Sequence, residues 1–554
     1  MRMGLFRNAA CAVVLAGLVA APVGARADQP PKQPVVRAPA GAVRGGAQDG
    51  LQVFKGIPYA VPPVGASRWK PPVEAAIWPG VRDAAQFGPA CFQPPPRAGS
   101  IYAEPPMAMS EDCLSLNIWK PAKAKKVPVL VWIHGGSLIS GASSETMYDG
   151  AAMARRSGIV VVSINYRLGV LGYLAHPELS AESSDHVSGN YGLLDQIAAL
   201  KWVQKNIAAF GGDPGNVTIA GESAGGLSVM YLMASPAAQG LFGKAIAESA
   251  YMISTPDLRE AKFGHVPAEA AGATLAAKLG AKDLAGLRAM DAKTLTTAAL
   301  MAGFQTFGAV DGKVLPRQLV ETFDRGEQAR VPILAGFNSG EIRSLRILAP
   351  PSPADAATYE AEVRKRYGDL ADDFLKLYPS TDVPESVLLT TRDALYGWTA
   401  ERLVAKQTSV GASGYFYIFD HGYPAAEAAG LHGFHASEIP YVFGTADKTP
   451  PTWPKIPDTP AEATLSTAMM DYWTSFARAG VPKASGQPAW KPYGAARAYM
   501  AFADAPQPGA HLRPGMFELN EAVVCRRRAE GDIPWNWNVG VVSPPLPAPV
   551  SQCR

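Results

Sequence analysis

Along the chain, short unbroken apolar runs alternate with longer stretches in which apolar residues recur every three or four positions. The runs at 127–134, 159–165, 217–221, 244–248, 331–337 and 415–420 predict strands. Several show no polar alternation, the pattern of strands covered on both faces. Between them, 191–210 places Leu193, Leu194, Ile197, Leu200, Val203 and Ile207 on one helical face. Strands and helices alternating in this way predict an α/β fold, a large mostly parallel sheet with helices on both sides. Segments 255–330 and 351–410, rich in Ala, Glu and Lys, read as helical insertions over that sheet. Residues 28–40 and the Pro-rich 541–550 read as extended lead-in and tail. No internal repeat interrupts this order, and 28–554 is expected to form a single domain.

Composition narrows the classes. The 554 residues are 48% hydrophobic and 18% charged, which excludes a disordered chain. A formal charge of +3 lacks the basic excess of a nucleic-acid binder. Even that charge belongs to the first residues. Arg2 and Arg7 precede an apolar stretch at 9–23, followed by Ala25-Arg26-Ala27, the pattern of a secretory signal peptide over 1–27. A membrane anchor is the competing reading, but the run is shorter than the roughly 20 residues of a spanning helix. Cys11 lies too early for a lipoprotein anchor. Removing 1–27 takes Arg2, Arg7 and Arg26 and leaves 48 basic against 48 acidic residues. The mature chain is then expected outside the cytoplasm, periplasmic or extracellular, without a membrane span.

Cys91, Cys113, Cys525 and Cys553 remain after Cys11 leaves. An even number in an oxidising compartment points to disulfides, with neighbour pairing favoured among three possible connectivities. No Cys-x-x-Cys occurs, so a zinc ribbon or a thioredoxin-like site has no support, and no metal or cofactor is expected.

The sharpest chemical signal is Gly221-Glu222-Ser223-Ala224-Gly225, set after a predicted strand and before a helical pattern at 227–233. A serine on so tight a turn projects its hydroxyl from the strand's C-terminal end, at a helix N-terminus that favours developing negative charge. The competing reading is a small-residue turn with a bystander serine. His134-Gly135-Gly136-Ser137 ends another predicted strand and suits an oxyanion loop. The expected donors are the N–H groups of Gly136, Ser137 and Ala224, and His134 is expected to hold the loop.

Taken together, these blocks resemble the type-B carboxylesterase/cholinesterase family of α/β hydrolases. The resemblance rests on Phe54-Lys-Gly-Ile-Pro-Tyr, Glu111-Asp-Cys-Leu-Ser-Leu-Asn, Asn165-Tyr-Arg-Leu-Gly, Gly189-Asn-Tyr-Gly-Leu-Leu-Asp-Gln and the serine block 210–225. Ser115, Ser137 and Ile342 depart from the family pattern. The resemblance also implies that Cys91–Cys113 closes the family's first disulfide loop.

A nucleophilic serine needs a base and the base an orienting acid, in the chain order Ser, acid, His. The residues alone leave His265, His421, His432, His435 and His511 open. The resemblance places His435, in His435-Ala-Ser-Glu-Ile-Pro-Tyr, as base, with His432 as the nearest decoy. It places Glu341, after the strand at 331–337, as acid. Glu222 is expected to face away from the serine and to be structural. The implied function is hydrolysis of neutral carboxylic esters, small molecules, through an acyl-enzyme, by a monomer or homodimer. Residues 92–112 contain Phe92 and Tyr102 but no Trp, which disfavours a quaternary-ammonium substrate. The alternatives are a non-catalytic adhesion protein, or a lipase, amidase, aromatic-ester or toxin esterase.

Overall fold

The computed structural model describes residue 1, residues 33–535 and residues 540–553. The signal-peptide reading therefore lies outside the described residues, apart from Met1. Eleven strands form the main sheet: β1 (Gly46–Gln48), β2 (Leu51–Pro58), β3 (Ser115–Pro121), β4 (Val127–Ile133), β5 (Val160–Ile164), β6 (Gly212–Glu222), β7 (Lys244–Glu248), β8 (Ile333–Asn338), β9 (Gly414–Phe419), β10 (Ala498–Phe502) and β11 (Pro506–Ala510). Their spatial order is β11-β10-β9-β8-β7-β6-β4-β5-β3-β2-β1. Pairing is parallel from β10 through β5 and antiparallel at both margins.

The six apolar runs read from sequence are all central parallel strands. Their lack of alternation has a direct cause. Along β4, Val129, Val131 and Ile133 pack into the core on one face of the sheet, and Leu130 and Trp132 into the core on the other. Both faces are dry, so neither needs polar residues. The marginal strands carried weaker patterns and were not anticipated. Nor was the helix Met516–Glu530.

Six helices matter for the site: α1 (Tyr191–Asn206), α2 (Ala224–Ala234), α3 (Glu341–Ser344), α4 (Val383–Arg392), α5 (Pro424–Ala428) and α6 (Pro460–Ala479). The helical face read at 191–210 becomes α1 plus a 3₁₀ turn at Ile207–Phe210. Segment 255–330 supplies four short helices. In 351–410 the last helix, Trp398–Ser409, is different. Trp398, Leu403 and Val404 are fully buried, and Thr399 Oγ1 accepts from Met252 N at 2.9 Å. It lies against the sheet rather than over its end. The tail bends through a 3₁₀ turn at Gly540–Val542, and Leu546 N donates to Arg366 O at 2.7 Å. Two disulfides close neighbouring pairs, Cys91–Cys113 and Cys525–Cys553. Among the described residues no helix is long and apolar enough to cross a membrane, and no cluster of metal-ligating side chains occurs.

Candidate active site

Ser223 sits at the junction of β6 and α2 with φ 56° and ψ −120°. An L-residue rarely holds this conformation, which stores about 1–3 kcal/mol of strain. Packing enforces it. Ser223 N donates to Glu248 O at 2.9 Å. A Cβ on Gly225 would stand 2.1 Å from Ile133 O, and one on Gly221 would stand 2.6 Å from the Gly225 carbonyl. The two glycines let β6 fold back onto α2 against the end of β4, as the sequence pattern requires.

The adjacent loop is also bent into the left-handed region, with φ 95° at Gly136, 58° at Ser137 and 61° at Leu138. Among the described residues, no hydrogen bond engages the N–H of Gly136 or Ser137. Ala224 is the first residue of α2, where a helix leaves its N–H unpaired. Three backbone donors are thus available around the elbow. His134 supports the loop, as its sequence context implied. Its ring stacks on Tyr166 at 4.5 Å, and Nδ1 lies 2.9 Å from Gly135 O. Burial pushes its pKa down to about 4, so the ring is neutral. The Asn165-Tyr-Arg block buttresses the same loop. Tyr166 donates to His134 O at 2.9 Å, and Arg167 makes a paired contact to buried Asp195 of α1 at 2.7 and 2.8 Å.

Glu341 opens α3, just past β8, and is fully buried. Its Oε1 accepts from Asn338 N at 2.8 Å, and its Oε2 bonds His435 Nδ1. A carboxylate only accepts, so Nδ1 carries the proton and Nε2, 3.1 Å from Glu222 Oε1, is left without one. The loop bearing His435 is tied to the same strand end. Gly340 N donates to Gly433 O at 2.7 Å, and Asn338 Nδ2 donates to Phe434 O at 2.7 Å. Tyr102, from the Cys91–Cys113 loop, donates to His435 O at 3.0 Å and lies 2.7 Å from Ser344 Oγ of α3. Among the described residues, no hydrogen bond joins Ser223 to His435. His432 and its ring nitrogens point elsewhere, to Asp420 and Glu427.

One expectation is corrected. Glu222 does not turn away. Its Oε1 lies 3.1 Å from His435 Nε2 without making a hydrogen bond. Gly135 explains how. A Cβ there would be 3.0 Å from Glu222 Oε2 and 3.2 Å from Ser223 Cβ, so both side chains flank one glycine. Burial, then the charge of Glu341, raises the Glu222 pKa well above the carboxylate range. Glu438 and Glu248 are also fully buried and raised, mainly by burial, Glu248 to about 8. Glu438 Oε2 bonds Asn338 Nδ2, and Trp473 Nε1 donates to Glu248 Oε1 at 3.0 Å. The Tyr396 ring stands 5.3 Å from the His435 ring. Sequence reading missed Glu248, Glu438, Asn338 and Tyr396. A glutamate ending an apolar strand, and another just before apolar Ile439–Phe443, were the available signals.

Comparison with known proteins identifies the family and the fold. The carboxylesterase family model matches residues 32–517. Fumonisin B1 esterase of Sphingopyxis macrogoltabida is 38% identical over 86% of this chain and 87% of its own. Para-nitrobenzyl esterase of Bacillus subtilis (strain 168) is 37% identical over 80% and 89%. A solved para-nitrobenzyl esterase superposes with a TM-score of 0.76 at 34% identity, covering 88% of this chain and 99% of that one. The adhesion-protein alternative is set aside: the chain is a carboxylic ester hydrolase with the α/β-hydrolase fold and belongs to the carboxylesterase family.

Proposed function

We propose that the chain hydrolyses neutral carboxylic esters with Ser223 as nucleophile, His435 as base and Glu341 as orienting acid. The observation that carries this reading is the His435 imidazole, fixed by Glu341 on Nδ1 with Nε2 beside Glu222, the residue next to the strained Ser223. Ser223 Oγ attacks the acyl carbon while His435 Nε2 takes its proton. The oxygen of the tetrahedral intermediate is held by the N–H groups of Gly136, Ser137 and Ala224. His435 returns the proton to the leaving alcohol, and water repeats the sequence on the acyl-enzyme. Glu341 holds the imidazole tautomer and stabilises the imidazolium.

The surroundings favour a neutral acyl group. Glu222, Glu248 and Glu438 lie buried around the base with raised pKa values, and so buried a setting penalises the charge of an anionic acyl group. Two disulfides fit an oxidising compartment, and with the signal pattern at 1–27 they support an exported enzyme.

The test is hydrolysis of p-nitrophenyl butyrate by the chain lacking 1–27, without added metal. Ser223→Ala is expected to lose at least ~10⁴-fold in kcat/KM. Full activity in that variant overturns the reading. Fumonisin B1 and p-nitrobenzyl esters, named by two of the relatives, are the first substrates to scan.

A further inference from the structure

His432 stands three residues before His435 and touches none of the groups assigned above. Its Nε2 is 3.0 Å from Asp420 Oδ1, just past β9, and its Nδ1 bonds Glu427 Oε1 in α5. A neutral imidazole has one N–H, and two carboxylates that accept from both nitrogens require two. The geometry therefore specifies an imidazolium. The backbone is committed to the contact as well. His432 has φ 52°, and a Cβ on Gly422 would be 2.5 Å from His432 Nδ1, so glycine at 422 leaves room for the ring.

What this contact holds is the loop of the base. The next residue, Gly433, accepts from Gly340 beside Glu341, and Phe434 accepts from Asn338. Asp420 N is in turn fastened to Phe502 O of β10 at 2.7 Å. The loop is thus pinned to the ends of β8 and β9 at successive residues.

We propose that His432 is a positioning residue of the esterase: as a cation between Asp420 and Glu427 it fixes the loop that presents His435 to Glu341. The proposal rests on the reading of His435 as base. The charged groups around the contact are Asp420 from the end of β9, Glu427 from α5 and Arg392 from α4. Arg392 acts on Asp420 through space and donates to Ser339 O at 3.0 Å. The bond to Asp420, reinforced by Glu427, raises the His432 pKa to about 9. The same bond keeps Asp420 below the usual carboxylate range. The clamp accordingly persists through neutral pH and is released as pH rises through about 9.

The experiment measures kcat and KM on p-nitrophenyl butyrate from pH 6 to 10 for wild type, His432→Gln, His432→Arg and Asp420→Asn. His432→Gln is expected to lose ~10-fold in kcat at pH 7.5 with KM within about twofold, since a small displacement of a catalytic group acts on the chemical step. His432→Arg keeps a cation and is expected to recover at least about half of kcat and to hold it above pH 9. Asp420→Asn removes one carboxylate and is expected to move the alkaline fall in kcat to lower pH. Wild-type kcat and pH profile in His432→Gln overturn the proposal. So does an unmoved alkaline midpoint in Asp420→Asn, which keeps the test open if His432→Gln does not fold. His435→Asn, assayed alongside, reports on the underlying reading: retained activity there sinks the base assignment whatever His432 does.

Discussion

Glu222 Oε1 lies 3.1 Å from His435 Nε2, so the imidazole stands between two buried carboxyl groups, Glu341 on one nitrogen and Glu222 near the other. The two acids differ in their environments. Glu341 accepts hydrogen bonds from Asn338 N and from His435, so both its oxygens are engaged. Glu222 Oε1 has no hydrogen-bond partner, and burial raises its pKa. A neutral Glu222 leaves the Nε2 lone pair free to accept a proton. An ionised Glu222 would hold the imidazolium and hinder its return to the base form.

This asymmetry predicts the behaviour of Glu222→Gln. The amide copies the size and neutrality of the protonated acid. At pH 7, kcat on p-nitrophenyl butyrate should stay within about threefold of wild type. Any decline at alkaline pH caused by Glu222 ionising should vanish. A loss of ~100-fold at pH 7 would mean that the wild-type group works as an anion.

The same contact shows where sequence reading stops. The proposed nucleophile was legible because the elbow is a local device: Gly221, Ser223 and Gly225 lie within five residues, Gly221 answering a clash with Gly225 inside the strand–turn–helix unit and Gly225 one with the end of β4. The six central strands were legible because burial on both faces removes polar residues. His435 and Glu341 are 94 residues apart, and only the family resemblance separated His435 from His432. Glu222 was misread because neighbouring side chains in a regular strand point to opposite faces. The positive φ of Ser223 breaks that alternation. Strands β1 and β11 were missed because they are edge strands with partly exposed residues, which blurs their patterns.

The buried acids should also set the pH dependence of stability. Glu248 is raised to about 8 from an ordinary value of 4.5. For a group raised on folding, the stabilising contribution is complete below the unfolded pKa and is lost as pH rises through the folded one. Stability should therefore fall between about pH 4.5 and 8. Glu248→Gln keeps an acceptor for Trp473 but does not ionise. Thermal unfolding should show the variant gaining on wild type by several degrees at pH 8 relative to pH 5. Parallel melting curves at the two pH values would contradict this.

Reducing the two disulfides should have different consequences. Each closes a loop of 22 or 28 residues, a constraint worth about 3–4 kcal/mol in the chain-entropy account. Among the described residues, only the first loop reaches the site, through Tyr102 to His435 O. Cys91→Ala/Cys113→Ala should lose both melting temperature and kcat. Cys525→Ala/Cys553→Ala should lose melting temperature while kcat stays near wild type. Tyr102→Phe, which deletes only the hydroxyl, should lower kcat by roughly 3–10-fold with little change in melting.

Glycines at the elbow and at the sheet edge separate necessity from habit. A Cβ at Gly225 would lie 2.1 Å from Ile133 O, a backbone atom that β4 holds in place, whereas a Cβ at Gly46 meets nothing within 4 Å. Gly225→Ala should destabilise by at least about 2–3 kcal/mol or prevent soluble expression. Gly46→Ala should unfold within about 0.5 kcal/mol of wild type. A Gly225→Ala protein with normal denaturant midpoint and activity would show that the elbow is not as tightly enforced as its geometry requires.

Ser137 is the proposed oxyanion donor that departs from the family pattern, and its backbone makes the departure testable. It holds φ 58°, a conformation that glycine adopts without strain. Ser137→Gly should keep the N–H donor, so kcat for p-nitrophenyl butyrate should hold within about threefold. It should relieve left-handed strain of about 1 kcal/mol in the folded state, offset by the greater freedom of glycine in the unfolded chain. The net change in melting should therefore be small. Removing the hydroxymethyl group also opens space beside the elbow. Esters with bulky acyl or tertiary alcohol groups should gain several-fold in kcat/KM relative to the butyrate. Substrate profiles of the two proteins, compared as ratios to the butyrate, decide the matter. Identical ratios would place Ser137 away from the bound ester, with its side chain playing no part in selectivity.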